Sequence, residues 1–485
     1  MRVNYRTNQS TWFRVLSDDQ LEELQRAVLH VMEHIGLDVH HEGARELLEE
    51  NGAYVDGLRV RIPAYMVERA LSTAPRSFTV FSREGDPQKD IHIGPGRVYY
   101  GPGPTCPYFR DPHTGEKRIY TRADAAAVAK ACDALPNIDF VESLGTVGDV
   151  PSELADTYEF AEMFPNTGKP IVAWSYGLSG AEDIHKMALA EAGGQRAFQK
   201  KPNYIHYCEP LSPLVGGEEA MDKAIFSAKH RIPLIFTPCP IGGGTAPCTL
   251  AGVLVQAASE SWLGLVISQL ISPGTPFVMG GVVSIMDMKS MVLAYGAPEL
   301  SLLSAGLTEL AHYVGLPLWS TGGCTDSKVF DEQAALEGTM SVLFSALSGG
   351  DLVHDVGYLE GAMTGSLQQL VMMDESIGLV RRIVRGIEVN DETLALGVIE
   401  KVGPGGHYLS EEHTLRHFKT DFWFPKLMDR QRWGDWELMG KKRMRDRVQE
   451  RLDKILASHE PTPVSEETKK TIKEVLAAAE QRVSD

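Results

Sequence analysis

Between about Arg97 and Arg385 one pattern recurs eight times: a short apolar run, a Gly/Pro/Ser turn, then residues at helical spacing. The strand candidates are Val98–Gly101, Phe140–Thr146, Ile171–Tyr176, Tyr204–Cys208, Leu234–Pro238, Phe277–Val282, Leu316–Gly322 and Leu352–Val356. The helices that follow them are Arg122–Ala134, Ser152–Phe164, Ala181–Ala192, Glu218–His230, Leu250–Ile271, Pro298–Tyr313, Asp331–Leu347 and Gly365–Arg385. Eight such units in roughly 290 residues are what a (β/α)8, or TIM, barrel with modest insertions requires. A doubly wound open sheet alternates in the same way, but no GxGxxG turn follows the first strand. The expected fold is therefore α/β. The barrel spans residues 96–386, behind a mainly helical extension (1–95) and ahead of a C-terminal helical segment (387–485).

One unit displays the logic. Leu316–Ser320 reads as a buried strand, Thr321-Gly322-Gly323 breaks it, and the polar run Cys324–Lys328 leads into a helix from Asp331. Its reactive-looking residues thus fall at the strand's carboxyl end, where parallel α/β folds place their active sites. In the extension, Ser17 and Gln20 form a capping-box pattern ahead of Leu21, Leu24, Val28, Val31, Met32 and Ile35, with Gly36 as the stop. Two polar helices, about Trp436–Ala457 and Glu466–Val483, are expected to close the chain. The basic residues Lys441, Lys442, Arg443, Arg445, Arg447 and Arg451 read as a solvated face rather than a docking surface.

The formal charge of −18 argues against nucleic acid as a partner and fits a cationic ligand or a partner protein with a basic face. Six scattered cysteines with no CxxC pair point to reduced thiols in a cytoplasm. Met1–Arg6 leads into polar sequence rather than the apolar core of a signal peptide. Thr245–Ile271 is long and weakly charged, but Gln256, Ser259, Glu260, Ser261, Ser268 and Gln269 interrupt it. A buried helix is the reading, and no membrane is expected.

The strands' carboxyl ends supply a lining for the barrel mouth: Tyr99, Tyr100, Trp174, Tyr176, His206, Tyr207, Phe236, Trp319, Asp326, Phe330, His354 and Tyr358. Converging aromatic rings suit a quaternary ammonium ion, which has no N–H to donate and is held by ring faces and diffuse negative charge. The same rings would also serve simply to fill a barrel core. Cys208, Cys239 and Cys324 end three different strands and offer thiolates for zinc, although no HxC or CxxC spacing supports them. His413 and His417 lie at i, i+4 without a third ligand in sight, so capping or surface histidines are the better reading. Asp111-Pro112-His113-Thr114-Gly115 approaches the DxHxxG loop of corrinoid-binding domains, but its glycine falls one position early, and an ordinary turn is expected.

Three blocks resemble the trimethylamine methyltransferase family of corrinoid-dependent methyltransferases: Gly242–Gly281, Gly322–Glu337 and Gly403–Arg430. Their order and spacing run through most of the chain. The resemblance implies a (β/α)8 barrel that passes a methyl group from a methylated amine to the Co(I) of a cobalamin carried by a separate corrinoid protein. Namesake members carry pyrrolysine. This sequence contains only standard residues, which points to a quaternary amine, with glycine betaine first and proline betaine, carnitine and γ-butyrobetaine as alternatives. A quaternary nitrogen already bears its charge, so the chemistry needs no acid and no covalent side chain, only orientation and desolvation. No catalytic residue and no metal ligand is therefore expected in this chain. Tyr99, Trp174, Trp319 and Phe330 are the expected cage walls, and His206 and His354 the polar orienters. Asp326 faces the cation or anchors its loop, and Arg110, His206, His354 or Lys328 would meet a betaine carboxylate unless Lys328 braces the same loop. Phe422-Trp423-Phe424 favours a homo-oligomer. Two rival readings remain: a zinc-dependent thiol or alcohol methyltransferase, and a non-catalytic betaine-binding protein.

Overall fold

A computed structural model describes residues 13–484; the leading stretch Met1–Arg6 lies outside the described residues. Seven parallel strands form one curled sheet. In spatial order they are Tyr99–Tyr100, Leu352–His354, Leu318–Thr321, Phe277–Gly280, Leu234–Phe236, Tyr204–Cys208 and Ile171–Trp174. The gap between the two ends is filled by residues 139–142. Val141 forms a parallel bridge to Ile171, its N–H donates to Pro170 O at 2.9 Å, and Asp139 N–H donates to Tyr100 O at 2.7 Å. The sheet therefore closes on itself, as the eightfold pattern requires. The second unit is the weakest stave, because Leu144 turns the chain at φ 64° after only one bridge.

Eight helices surround the barrel: α1 (Arg122–Ala134), α2 (Ala155–Met163), α3 (Leu178–Ala192), α4 (Glu218–His230), α5 (Leu250–Ile271), α6 (Pro298–Tyr313), α7 (Glu332–Ser348) and α8 (Leu367–Val384). α5 is the one helix among the described residues long and apolar enough to cross a membrane. It instead packs against the barrel and the extension, with Val253 through Gln269 almost continuously buried. Its apolar character on all sides is that of a helix enclosed by protein.

The extension is tied to the barrel rather than set apart from it. The Ser17–Gln20 capping box starts a helix over Asp18–His30, and Gly36 at φ 78° ends the π-turn that follows. Leu21, Leu24, Val28 and Met32 share a buried cluster with α5 residues. The strand Leu37–Val39 pairs with Val215–Gly216, in the loop after the strand Tyr204–Cys208. A hairpin, Phe78–Val80 with Ile91–Ile93, plugs the amino end of the barrel: Val80, Ile91 and Ile93 pack with Val172, Ile205, Ile235 and Val278. At the C-terminus, helix Met444–Ser458 lies on α8 and α1, and helix Glu466–Ser484 lies on α3. The basic run is less solvated than its composition implies. Arg447 pairs with Asp429, and Arg451 pairs with the buried Asp374.

Candidate active site

Alternation along the strands decides which side chains meet inside the barrel. Trp174 stands opposite Tyr207, Gly280 opposite Trp319, and Thr321 opposite His354. Trp174, Tyr207 and Trp319 belong to the interior cluster with Phe140. Trp319 stacks on His354 with centroids 4.5 Å apart and planes at 12°, and lies 5.4 Å from Phe140 and 6.2 Å from Tyr207. Trp174 meets Tyr176 edge-on at 4.6 Å. Trp174, Tyr207 and Tyr295 retain a trace of solvent contact, whereas Trp319 and His354 are sealed beneath them.

Carboxylates complete this floor. Glu142 is two residues beyond the inward-facing Phe140, and both its oxygens are buried without a hydrogen-bond partner among the described residues. Asp355 accepts a hydrogen bond from His354 Nδ1 at 2.7 Å, and its Oδ2 is also unpartnered. Glu209 accepts from Tyr207 Oη at 3.3 Å. None of the three pairs with a lysine or arginine among the described residues. Two potential donors, Trp319 Nε1 on an inward-facing strand position and Thr237 Oγ1 just past the strand Leu234–Phe236, are likewise unpartnered among the described residues. Burial, with Asp355 and Glu159 close by, pushes the Glu142 carboxyl well above its usual range. Glu209 is reached by solvent, yet the surrounding protein still raises its pKa, the behaviour of a carboxyl standing in a recess. The backbone makes room for the group. A Cβ on Gly103 would come within 2.1 Å of Asp355 Oδ1 and 2.4 Å of Tyr358 Oη, so only glycine fits there.

Glu159, buried on α2, fixes the Trp174 ring. One oxygen accepts Val147 N–H at 2.9 Å and the other accepts Trp174 Nε1–H at 2.7 Å. Glu159→Gln is expected to cost about 1–2 kcal/mol of stability, because an amide cannot accept both bonds. It should also mobilise Trp174, read as a change in tryptophan fluorescence anisotropy; an unchanged signal would show that packing alone holds the ring.

Of the seven site residues expected from sequence, the structure brings together Trp174, Trp319 and His354. The other four are placed elsewhere. Tyr99 lies at the barrel's amino end, where its hydroxyl accepts His92 N–H from the plugging hairpin at 3.0 Å. His206 points outward between barrel and helices, 2.8 Å from Ser227 Oγ and 3.0 Å from Ser175 Oγ, because the inward positions of its strand are Ile205 and Tyr207. Asp326 is a loop anchor: its two oxygens accept Tyr295 N–H and Gly296 N–H, each at 2.8 Å. Phe330 lines a rim cleft of about 540 Å3 with Arg110, His113, Gln368 and Arg445. Lys328 Nζ donates to Asp326 O at 2.8 Å and so braces the loop.

Glu142, Glu209, Tyr295 and Asp355 escaped the sequence reading. Glu209 and Asp355 lie within one residue of a predicted strand's carboxyl end and Glu142 lies inside the predicted strand Phe140–Thr146, a signal passed over in favour of aromatics. The zinc alternative has no support in the geometry. Cys208, Cys239 and Cys324 form no ligand cluster among the described residues, and burial drives the Cys208 thiol up to about 12. The Asp111–Gly115 segment is the turn of a β-hairpin, Tyr108–Arg110 with Lys117–Ile119. Asp111 is held down to about 2, chiefly by the Thr114 N–H.

A closed parallel barrel with an aromatic, acid-lined mouth at its carboxyl end defines a (β/α)8 enzyme. The family model for trimethylamine methyltransferase (MTTB) matches residues 1–484, and the chain belongs to that family of corrinoid-dependent methyltransferases. It is 35% identical to a trimethylamine methyltransferase MttB of Desulfitobacterium hafniense (strain DSM 10664 / DCB-2), over 96% of this chain and 93% of that one. It is 30% identical to a glycine betaine methyltransferase of Desulfitobacterium hafniense (strain Y51), over 98% of each. The monomethylamine methyltransferase MtmB of Methanosarcina barkeri shares the fold, with a TM-score of 0.53 at 12% identity over 98% of this chain and 90% of that one.

Proposed function

We propose that this methyltransferase takes a methyl group from a quaternary ammonium ion and delivers it to the Co(I) of a cobalamin held by a separate corrinoid protein. The observation that carries the reading is the mouth itself: rings of Trp174, Tyr207 and Tyr295 beside Glu142, Glu209 and Asp355, with no lysine or arginine paired to those acids among the described residues. A permanent cation supplies the missing charge and needs no hydrogen-bond acceptor.

In the transfer the cobalt provides the electron pair of the new bond to carbon. The nitrogen keeps the pair of the broken C–N bond and departs as a neutral tertiary amine. No proton moves, so the chain's residues have three tasks. The rings orient the ammonium, the carboxylates offset its charge, and the sealed floor of Trp319 and His354 keeps water away from the methyl group.

Glycine betaine is the first substrate to test, since one relative is named for it. Its carboxylate would have to turn away from the three acids, towards the donors Trp319 Nε1 and Thr237 Oγ1 or the rim at Arg110. On this reading the corrinoid partner docks around the mouth, because the acceptor must reach the methyl group. Exposed Phe422, Phe424 and Trp433 support a homo-oligomer, and six free thiols support a cytoplasmic setting.

The test is methylation of a reduced corrinoid protein, followed by its absorption spectrum, with glycine betaine, longer betaines, choline, tetramethylammonium or trimethylamine as donor. Transfer from one or more quaternary donors, and none from trimethylamine, is expected. Transfer from trimethylamine alone, or saturable quaternary-amine binding with no transfer to any competent acceptor, would overturn the reading.

A further inference from the structure

Residues 387–439 are built unlike the rest of the chain. Their four short helices, Asp391–Leu394, Leu396–Val402, Glu412–Asp421 and Trp433–Leu438, bury no residue at all. Helices this short do not hold themselves together, and without a buried apolar face they lack the usual reason to stay side by side.

What joins the first of these helices to the third is a group of ligand-type atoms. A Glu392 carboxylate oxygen and one ring nitrogen each from His413 and His417 lie within 4.8 Å of one another. The two imidazoles are one helical turn apart, with centroids at 4.3 Å. His417 Nε2 sits 3.0 Å from Glu392 Oε1, while its Nδ1 faces Asp421 Oδ2 at 3.4 Å. His413 Nε2 is buried and has no hydrogen-bond partner among the described residues.

We propose that Glu392, His413 and His417 bind a divalent transition-metal ion of the zinc class, which staples the helix Asp391–Leu394 to the helix Glu412–Asp421. Two imidazoles and one carboxylate are the donor set such borderline ions take, with water in the remaining position. Histidines at i, i+4 present both rings on one helix face. Asp421 behind His417 supplies the carboxylate that orients a ligating imidazole and raises its basicity. The unpartnered His413 nitrogen then has a use. Arg416, whose Nη1 is 3.3 Å from Glu392 Oε1, competes for that carboxylate. The site is therefore expected to be weaker than a zinc-finger site. It offers no ring cage and shares no residue with the barrel mouth, so its role is structural.

The sequence held two of the three ligands in plain view, but Glu392 lies 21 positions before His413 and only the fold brings it in. The test uses the full chain, stripped with a chelator and dialysed, then titrated with Zn2+ in competition with a chromophoric chelator. One ion per chain is expected, with amide exchange slowing across residues 387–421 on binding. Glu392→Gln and His413→Ala should each weaken binding at least about tenfold and abolish that protection. A urea midpoint for the barrel that matches wild type controls for misfolding. Absence of stoichiometric binding would overturn the proposal, as would binding that neither substitution weakens.

Discussion

Asp355→Asn is expected to weaken quaternary-ammonium binding at least about thirtyfold and to leave the barrel folded. Asp355 sits at φ 72°, in the left-handed region that asparagine tolerates best among residues with a side chain beyond Cβ. The amide oxygen can still accept from His354 Nδ1, so the Trp319–His354 stack is retained. What is lost is negative charge beside an ammonium ion in a largely dehydrated recess. At an effective dielectric near 20 that contact contributes on the order of 2–4 kcal/mol, and 2 kcal/mol is about thirtyfold in affinity. Calorimetric titration with a urea midpoint on the same sample checks it. A folded variant that binds as tightly as wild type would remove Asp355 from the cation site.

His206→Gln should gain about 2 kcal/mol of stability relative to wild type when the pH is lowered from 7.5 to 5. Burial holds His206 down to about 3, wedged between Ser175 and Ser227, against an ordinary value near 6.5 in the unfolded chain. Below about pH 6.5 the unfolded chain takes up a proton that the folded one refuses, so stability falls by about 1.4 kcal/mol per pH unit until the folded value is reached. His185, held at about 4 by burial, adds a second loss of the same sign. Glu142, Glu159 and Glu209 act in the opposite direction. Their folded values are raised, so they penalise folding at higher pH and recover that stability as they protonate. The wild-type pH profile therefore mixes both signs, and only the difference between variant and wild type isolates the imidazole. Urea midpoints of both chains at pH 7.5 and 5 give that difference. Parallel profiles would mean that His206 takes up its proton at the same pH in the folded protein as in the unfolded chain, and would contradict the burial argument.

Period and punctuation made the barrel legible. Each strand–helix unit carries its own apolar run and glycine turn, and α1, α4, α5 and α6 fall where the spacing places them. The site was legible only in outline, for two physical reasons. A strand's inward face depends on parity, and His206 and Tyr207 are equally plausible until the register with Trp174 is known. Tyr99 failed for a related reason: its two-residue strand lies at the barrel's amino end, so its side chain meets the plugging hairpin rather than the mouth. The acids were missed because a carboxylate inside a barrel runs against the usual cost of burial, an exception that suits a cation-binding site. Asp326 and Lys328, inside a family-like block, serve the loop instead. A block shared across a family records what the scaffold needs as well as what the chemistry needs.

The central claim is that the mouth recognises permanent ammonium charge. Isothermal titration of the purified chain with tetramethylammonium, choline, glycine betaine, longer betaines and trimethylamine tests it most directly, before any partner protein is needed. The account predicts saturable binding, one per chain, of at least one quaternary ion and none of trimethylamine, lost in Asp355→Asn. Tight binding of trimethylamine with silence from every quaternary ion would contradict it.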